Sequence, residues 1–127
     1  MRPPTERHRA MAAQRRNGKT YQTIAQEFKT TITSAQRSIE QVERYDLGMR
    51  ILRENPGSLE GLGLIGRVRP LVYAILQARG YRTLQDLDGT SLADLVQLPG
   101  VGRLSALLLF ELALEVRQRL HAENVGH

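Results

Sequence analysis

Helix starts and helix stops punctuate this chain throughout. Thr5, Thr20 and either Thr90 or Ser91 stand where an N-cap belongs, just ahead of a run of helix-forming residues, and Asn17-Gly18, Gly80 and Pro99-Gly100 stand where such runs end. A capping hydroxyl satisfies amides that a first turn leaves unbonded, and a closing glycine adopts the left-handed backbone that ends the last turn. Between these marks apolar residues recur every three or four positions, and no β-branched alternation long enough for a strand occurs. The expected fold is therefore all-α. Leu, Ala, Arg, Gln and Glu dominate, aromatics are 5%, and Trp and Cys are absent, which suits helices better than strands.

The punctuation predicts helices over Glu6 to Arg16 and Tyr21 to Phe28, and a third from about Thr33 to Tyr45 or beyond. Ile24, Ala25 and Phe28 fall on one face of the second, and Ile32, Ala35, Ile39 and Val42 form an inward stripe on the third. Asn55-Pro56-Gly57-Ser58 is the strongest break, because a residue before proline avoids the helical region. The run Gly61 to Gly66 is too rich in glycine for a helix interior. Residues 1–54 and 67–127 are thus expected as two domains, with 55–66 as linker. In the second, helices are expected from Pro70 to Arg79, from a cap at Thr90 or Ser91, with Asp94 three residues after Ser91 in capping-box spacing, and from Arg103 to Leu120. Thr83 to Leu87 reads as a short helix or turn, and Ala122 to His127 as a frayed tail.

The net charge of +5 is unevenly placed. Residues 1–54 hold eleven Lys and Arg against six acids, whereas residues 55–127 hold seven of each. The whole surplus lies in the first half, where it can neutralise phosphates or simply serve as a solvated basic face. Lack of cysteine excludes disulfides and thiolate metal sites and points to a reducing, cytoplasmic compartment. The longest apolar run, Ala106 to Phe110, is too short to span a bilayer, so no membrane partner is expected. His8, His121 and His127 lack a metal-ligand spacing, and no nucleophile, base and orienting group can be assembled around Ser105. No enzyme, cofactor, metal or small-molecule substrate is expected.

Two short helices joined by a tight turn can hold the second so that its first residues reach base edges in the major groove. Ala25 supplies the small residue such a crossing needs, and Ile24, Phe28, Ala35 and Ile39 the apolar pins. The segment Asn17-Gly18-Lys19-Thr20-Tyr21-Gln22-Thr23-Ile24-Ala25-Gln26-Glu27-Phe28, followed by Arg37-Ser38-Ile39-Glu40, resembles the DNA-binding fourth region of primary sigma factors. Resolvases and small phage regulators have similar trihelical units. The turn departs from that pattern, with Lys29-Thr30 in place of a glycine and a branched apolar residue. This helix-turn-helix reading makes Thr33, Ser34, Gln36 and Arg37 the candidates for base edges, and Lys19, Thr20, Lys29, Thr31 and Arg44 those for phosphates.

Leu95 to Ala106 reads Leu-Val-Gln-Leu-Pro-Gly-Val-Gly-Arg-Leu-Ser-Ala, which fits the helix-hairpin-helix pattern at every specified position. Gly100 and Gly102 allow a tight turn that exposes amides at a helix start, where a phosphate oxygen can bind; Arg103 and Ser105 complete that candidate contact. Over a longer span, Arg67 to Leu114 resembles the C-terminal domain of the RNA polymerase alpha subunit. Gly102 and Ser105 match that family's DNA-contacting set, but its arginine, asparagine and lysine fall on Leu71, Ala74 and Leu104. On the last helix Leu104 and Leu108 share a stripe with Glu111, Glu115 and Gln118, which points outward. Leu71, Leu104 and Leu108 are therefore expected to form a protein interface, either a homodimer seam or a dock for the first half.

The reading that follows is a transcription regulator that binds double-stranded DNA through its first half, with RNA polymerase or a second copy met by a compact helix-hairpin-helix bundle in its second. A structure-selective DNA-binding accessory of repair or recombination, working through the hairpin, is the alternative. An interaction module without DNA binding is the third.

Overall fold

The computed structural model describes residues 3–125 and is all-α, with no named strand among those residues. Its helices are α1 (Glu6–Arg16), α2 (Tyr21–Glu27), α3 (Ile32–Glu54), α4 (Leu59–Leu64), α5 (Pro70–Ala78), α6 (Leu92–Val96) and α7 (Gly102–Val125), with a 3-10 turn over Leu84–Leu87 between α5 and α6. The chain divides into two compact units, residues 1–47 and 48–127.

In the first unit the caps act as their chemistry requires. The Thr5 hydroxyl accepts the amide of His8 at 3.2 Å, and the amide of Thr5 donates to His8 Nδ1 at 3.4 Å, so α1 opens on a reciprocal box. Thr20 accepts the amide of Thr23 at 3.2 Å to open α2. The core collects Met11 and Ala12 from α1, Ile24 and Ala25 from α2, and Ala35, Ile39 and Val42 from α3. Tyr21 and Phe28 pack at its edge.

The second unit buries Leu59 and Leu62 of α4, Val72 and Leu76 of α5, Leu84 and Leu87 of the 3-10 turn, Leu95 of α6, and Ala106, Leu109, Leu112 and Val116 along α7. Val68 and Val101 join this core from the connecting loops. Pro70 occupies the first turn of α5, where its missing N–H costs nothing.

Four expectations are corrected. Residues 55–66 are no linker: the Ser58 hydroxyl accepts the amide of Gly61 to start α4, and the amides of Leu59 and Leu84 donate to Arg82 and Gly57 carbonyls at 3.0 and 2.8 Å. Glycine tolerates this helix because of what it touches. A β-carbon on Gly61 would stand 2.8 Å from the Leu52 side chain, so the position is small where another side chain arrives. The boundary of the compact units falls inside α3, between Leu47 and Gly48, because Pro56 ends a helix without ending a core. Residues 122–125 continue α7 instead of fraying, while Gly126 and His127 lie outside the described residues. The fourth correction concerns Ile32, which is half exposed and absent from the core stripe it was expected to extend.

Candidate nucleic-acid interface

The turn between α2 and α3 is built by a Schellman closure. The amide of Thr30 donates to the Ala25 carbonyl at 2.9 Å and that of Lys29 to Gln26 at 3.3 Å, an arrangement that puts the intervening residue in the left-handed region. Lys29 takes that place with φ of 53°, where glycine is the usual occupant. Its side chain is exposed. Thr31 then caps α3, its hydroxyl accepting the amide of Ser34 at 3.0 Å while its carbonyl accepts that of Ala35.

Beyond this cap Thr33, Ser34, Gln36 and Arg37 all lie exposed on the first two turns of α3. Thr33, Arg37 and Arg44 fall within a narrow arc of the helix, opposite the buried Ala35, Ile39 and Val42. Gln36 donates through Nε2 to Glu40 Oε1 at 3.2 Å, which fixes its amide along the outward face. No acid stands in the first turn of α3, so its amide-rich end is not neutralised.

Basic residues of this unit divide into two groups. Arg9 pairs with Asp46 at 3.2 Å, Lys19 with Glu27 at 2.9 Å, and the Arg15 guanidinium lies 4.4 Å from the centre of the Tyr21 ring while donating to the Lys19 carbonyl. The Lys19 ammonium, helped by Gln14, holds the Glu27 carboxyl below the usual range. Lys29, Arg37 and Arg44, in contrast, are exposed and take no ion-pair partner among the described residues. Of the five residues assigned to phosphates, Lys19 is therefore neutralised locally, Thr20 and Thr31 serve as caps, and Lys29 and Arg44 carry uncompensated charge. Ile32, which the sequence reading placed on the inward stripe, is the first residue of α3 and is 50% exposed beside Thr33.

In the second unit, Gly100 and Gly102 have φ of 88° and 71° and bracket the buried Val101. A β-carbon on Gly102 would meet nothing within 4 Å, so its backbone faces open space at the start of α7. Arg103 is exposed without an ion pair among the described residues, Ser105 is half-buried, and the first turn of α7 carries no acid. Leu71, Leu104 and Leu108 are 65%, 83% and 40% exposed. Leu104 and Leu108 line a cavity of about 160 Å³ together with Val68, Arg69, Val72 and Ser105.

Among the described residues no cluster of three His, Cys, Asp or Glu could hold a metal ion, and no helix is long and apolar enough to cross a membrane. Compared with protein-family models, curated proteins and solved structures, the chain gives no match.

Proposed function

We propose that this chain is a DNA-binding transcription regulator whose α2–turn–α3 segment works as a helix-turn-helix. The observation that carries this reading is the tip of α3: an exposed set of Thr33, Ser34, Gln36 and Arg37, with unpaired Lys29 before it and Arg44 behind it. Donors and acceptors at the start of a helix suit base edges in a major groove, and flanking cations suit the phosphates on either side. Selection of bound duplexes from a random pool, followed by salt titration of the winner, tests it. Arg37→Ala is expected to relax the preference at one or two base pairs. Lys29→Ala is expected to weaken binding to all sequences and reduce the salt slope by about one. Absence of any preferred duplex sinks the reading.

In the second unit the exposed Leu71, Leu104 and Leu108 surface serves a second copy of the chain, an arrangement that would set two reading helices on one DNA. What supports this is an exposed apolar patch in which Leu104, 83% exposed, rims a groove it shares with Leu108 and Val72, the kind of surface a two-fold contact can cover with its own copy. If the protein remains a monomer, the surface falls to the polymerase contact that the resemblance of Arg67 to Leu114 implies.

A second reading is favoured by the open backbone at Gly102 and the unpaired Arg103. These suit a phosphate oxygen held without regard to sequence, as a repair or recombination accessory would hold it. Comparing a four-way junction with linear duplex of the same sequence separates the two. Junction preference that Arg103→Ala abolishes supports this second reading; equal affinity for both forms removes it.

A further inference from the structure

The first residue of α3 is an isoleucine that stands half exposed. The buried core of this unit takes Ala35, Ile39 and Val42 from the helix and does not include Ile32. Half of its surface remains in water, at the one end of α3 where the neighbours Thr31, Thr33 and Ser34 are all exposed and polar. A β-branched residue at this position gains nothing in helix propensity over the polar alternatives around it.

We propose that Ile32 is a specificity-determining residue that reads the C5-methyl group of a thymine. This rests on the helix-turn-helix reading given above. Among the four bases only thymine shows a methyl group in the major groove, and an aliphatic side chain distinguishes it by burying that methyl rather than by hydrogen bonding. Ile32 lies one turn ahead of Gln36, at the margin where the inward stripe of α3 meets its exposed face, since residues four apart stand nearly one above the other. Gln36 carries the amide suited to an adenine edge and is oriented by its hydrogen bond to Glu40. The recognised site accordingly holds a thymine beside the base pair that Gln36 reads.

The test takes the best duplex selected from the random pool and replaces each thymine in turn by deoxyuridine, which lacks the methyl group alone. For the unmodified protein, one position is expected to lose about three- to fivefold in affinity, the size of a single buried methyl contact. Ile32→Ala is expected to bind the thymine and deoxyuridine duplexes equally, and Ile32→Val to keep most of the difference. Ile32 is outside the core, and equal thermal midpoints for the variants and the parent protein will confirm that folding is unaltered. A scan that is flat for the parent protein, or a methyl sensitivity that persists in Ile32→Ala, overturns the role of Ile32 while leaving DNA recognition in place. Failure of the pool to yield any preferred duplex overturns DNA recognition itself.

Discussion

The carbonyl oxygen of Gly48 lies 3.1 Å from the point where a β-carbon on Gly61 would stand, and the carbonyl oxygen of Gly61 lies 2.9 Å from the equivalent point on Gly48. Helices α3 and α4 thus meet backbone to backbone in the second unit. A methyl group at residue 48 would also press on Leu64 Cβ at 2.9 Å, an atom fixed to the chain. Gly48→Ala is expected to destabilise this unit by about 1–3 kcal/mol, the usual cost of overpacking, even though alanine favours a helix interior by roughly 1 kcal/mol. Gly63→Ala is the control. Its β-carbon would meet only Tyr73 at 3.8 Å and is expected to leave stability unchanged or raise it by up to about 1 kcal/mol. Urea unfolding of the two variants checks both.

Lys29 separates stability from binding. An L-residue in the left-handed region costs about 1–2 kcal/mol, of which glycine recovers part after its own extra freedom in the unfolded chain is counted. Lys29→Gly is expected to stabilise the first unit by about 0.5–1 kcal/mol and yet to weaken DNA binding, because the charge is lost with the strain. Thermal melts and a binding titration on the same preparation measure the two effects. If binding is unaltered, the lysine has no part in the interface.

Leu104 is so exposed that a charge there should not disturb the unit that carries it. Leu104→Glu is expected to keep the thermal midpoint of the diluted protein and to abolish dimers in sedimentation at higher concentration. A parent protein that is itself a monomer, or a variant that sediments as a dimeric parent does, removes the seam from Leu104.

Acid should reveal the cap at the 3-10 turn. Asp86 Oδ2 accepts the amides of Arg82 at 2.9 Å and Thr83 at 3.1 Å, and these bonds, the Arg82 bond foremost, hold its carboxyl below the ordinary range. The ionised form is favoured by folding. Its contribution is fully present above the unfolded value of about 3.9 and is lost as pH falls through the lower folded value. Asp86→Asn is therefore expected to be less stable than the parent protein at pH 7, with the difference closing as pH drops below about 4. Unfolding midpoints across that range test the sign, and a constant difference at all pH values would be the wrong outcome.

Local chemistry was the legible part of this chain. Thr5 and Thr20 announced their helices because a cap is satisfied within four residues, and both accept the amides such a position implies; of Thr90 and Ser91, the structure selects Ser91. Gly61 was misread because its meaning lies in residue 48, thirteen positions away, and a glycine that breaks a helix has the same local signature as one that lets two helices touch. Ile32 was misplaced for a related reason. It is three residues before Ala35, so helical spacing puts it at the margin of the inward stripe; spacing alone does not tell how far neighbouring helices extend to cover it. For the candidate site, residue types marked which side chains could contact DNA. Which cations were already consumed by Glu27 and Asp46 required the fold.

The two cores have no residue in common, and the one in the first unit is small, with three alanines among its buried side chains. A core that removes so little apolar surface from water leaves a thin margin against local opening. Any ligand that recognises the folded form of this unit will widen that margin by mass action. Amide exchange at Ile24, Ala35 and Ile39 then becomes a gauge of occupancy, slowing in proportion to ligand, whereas exchange at Leu76 and Leu109 need not follow it.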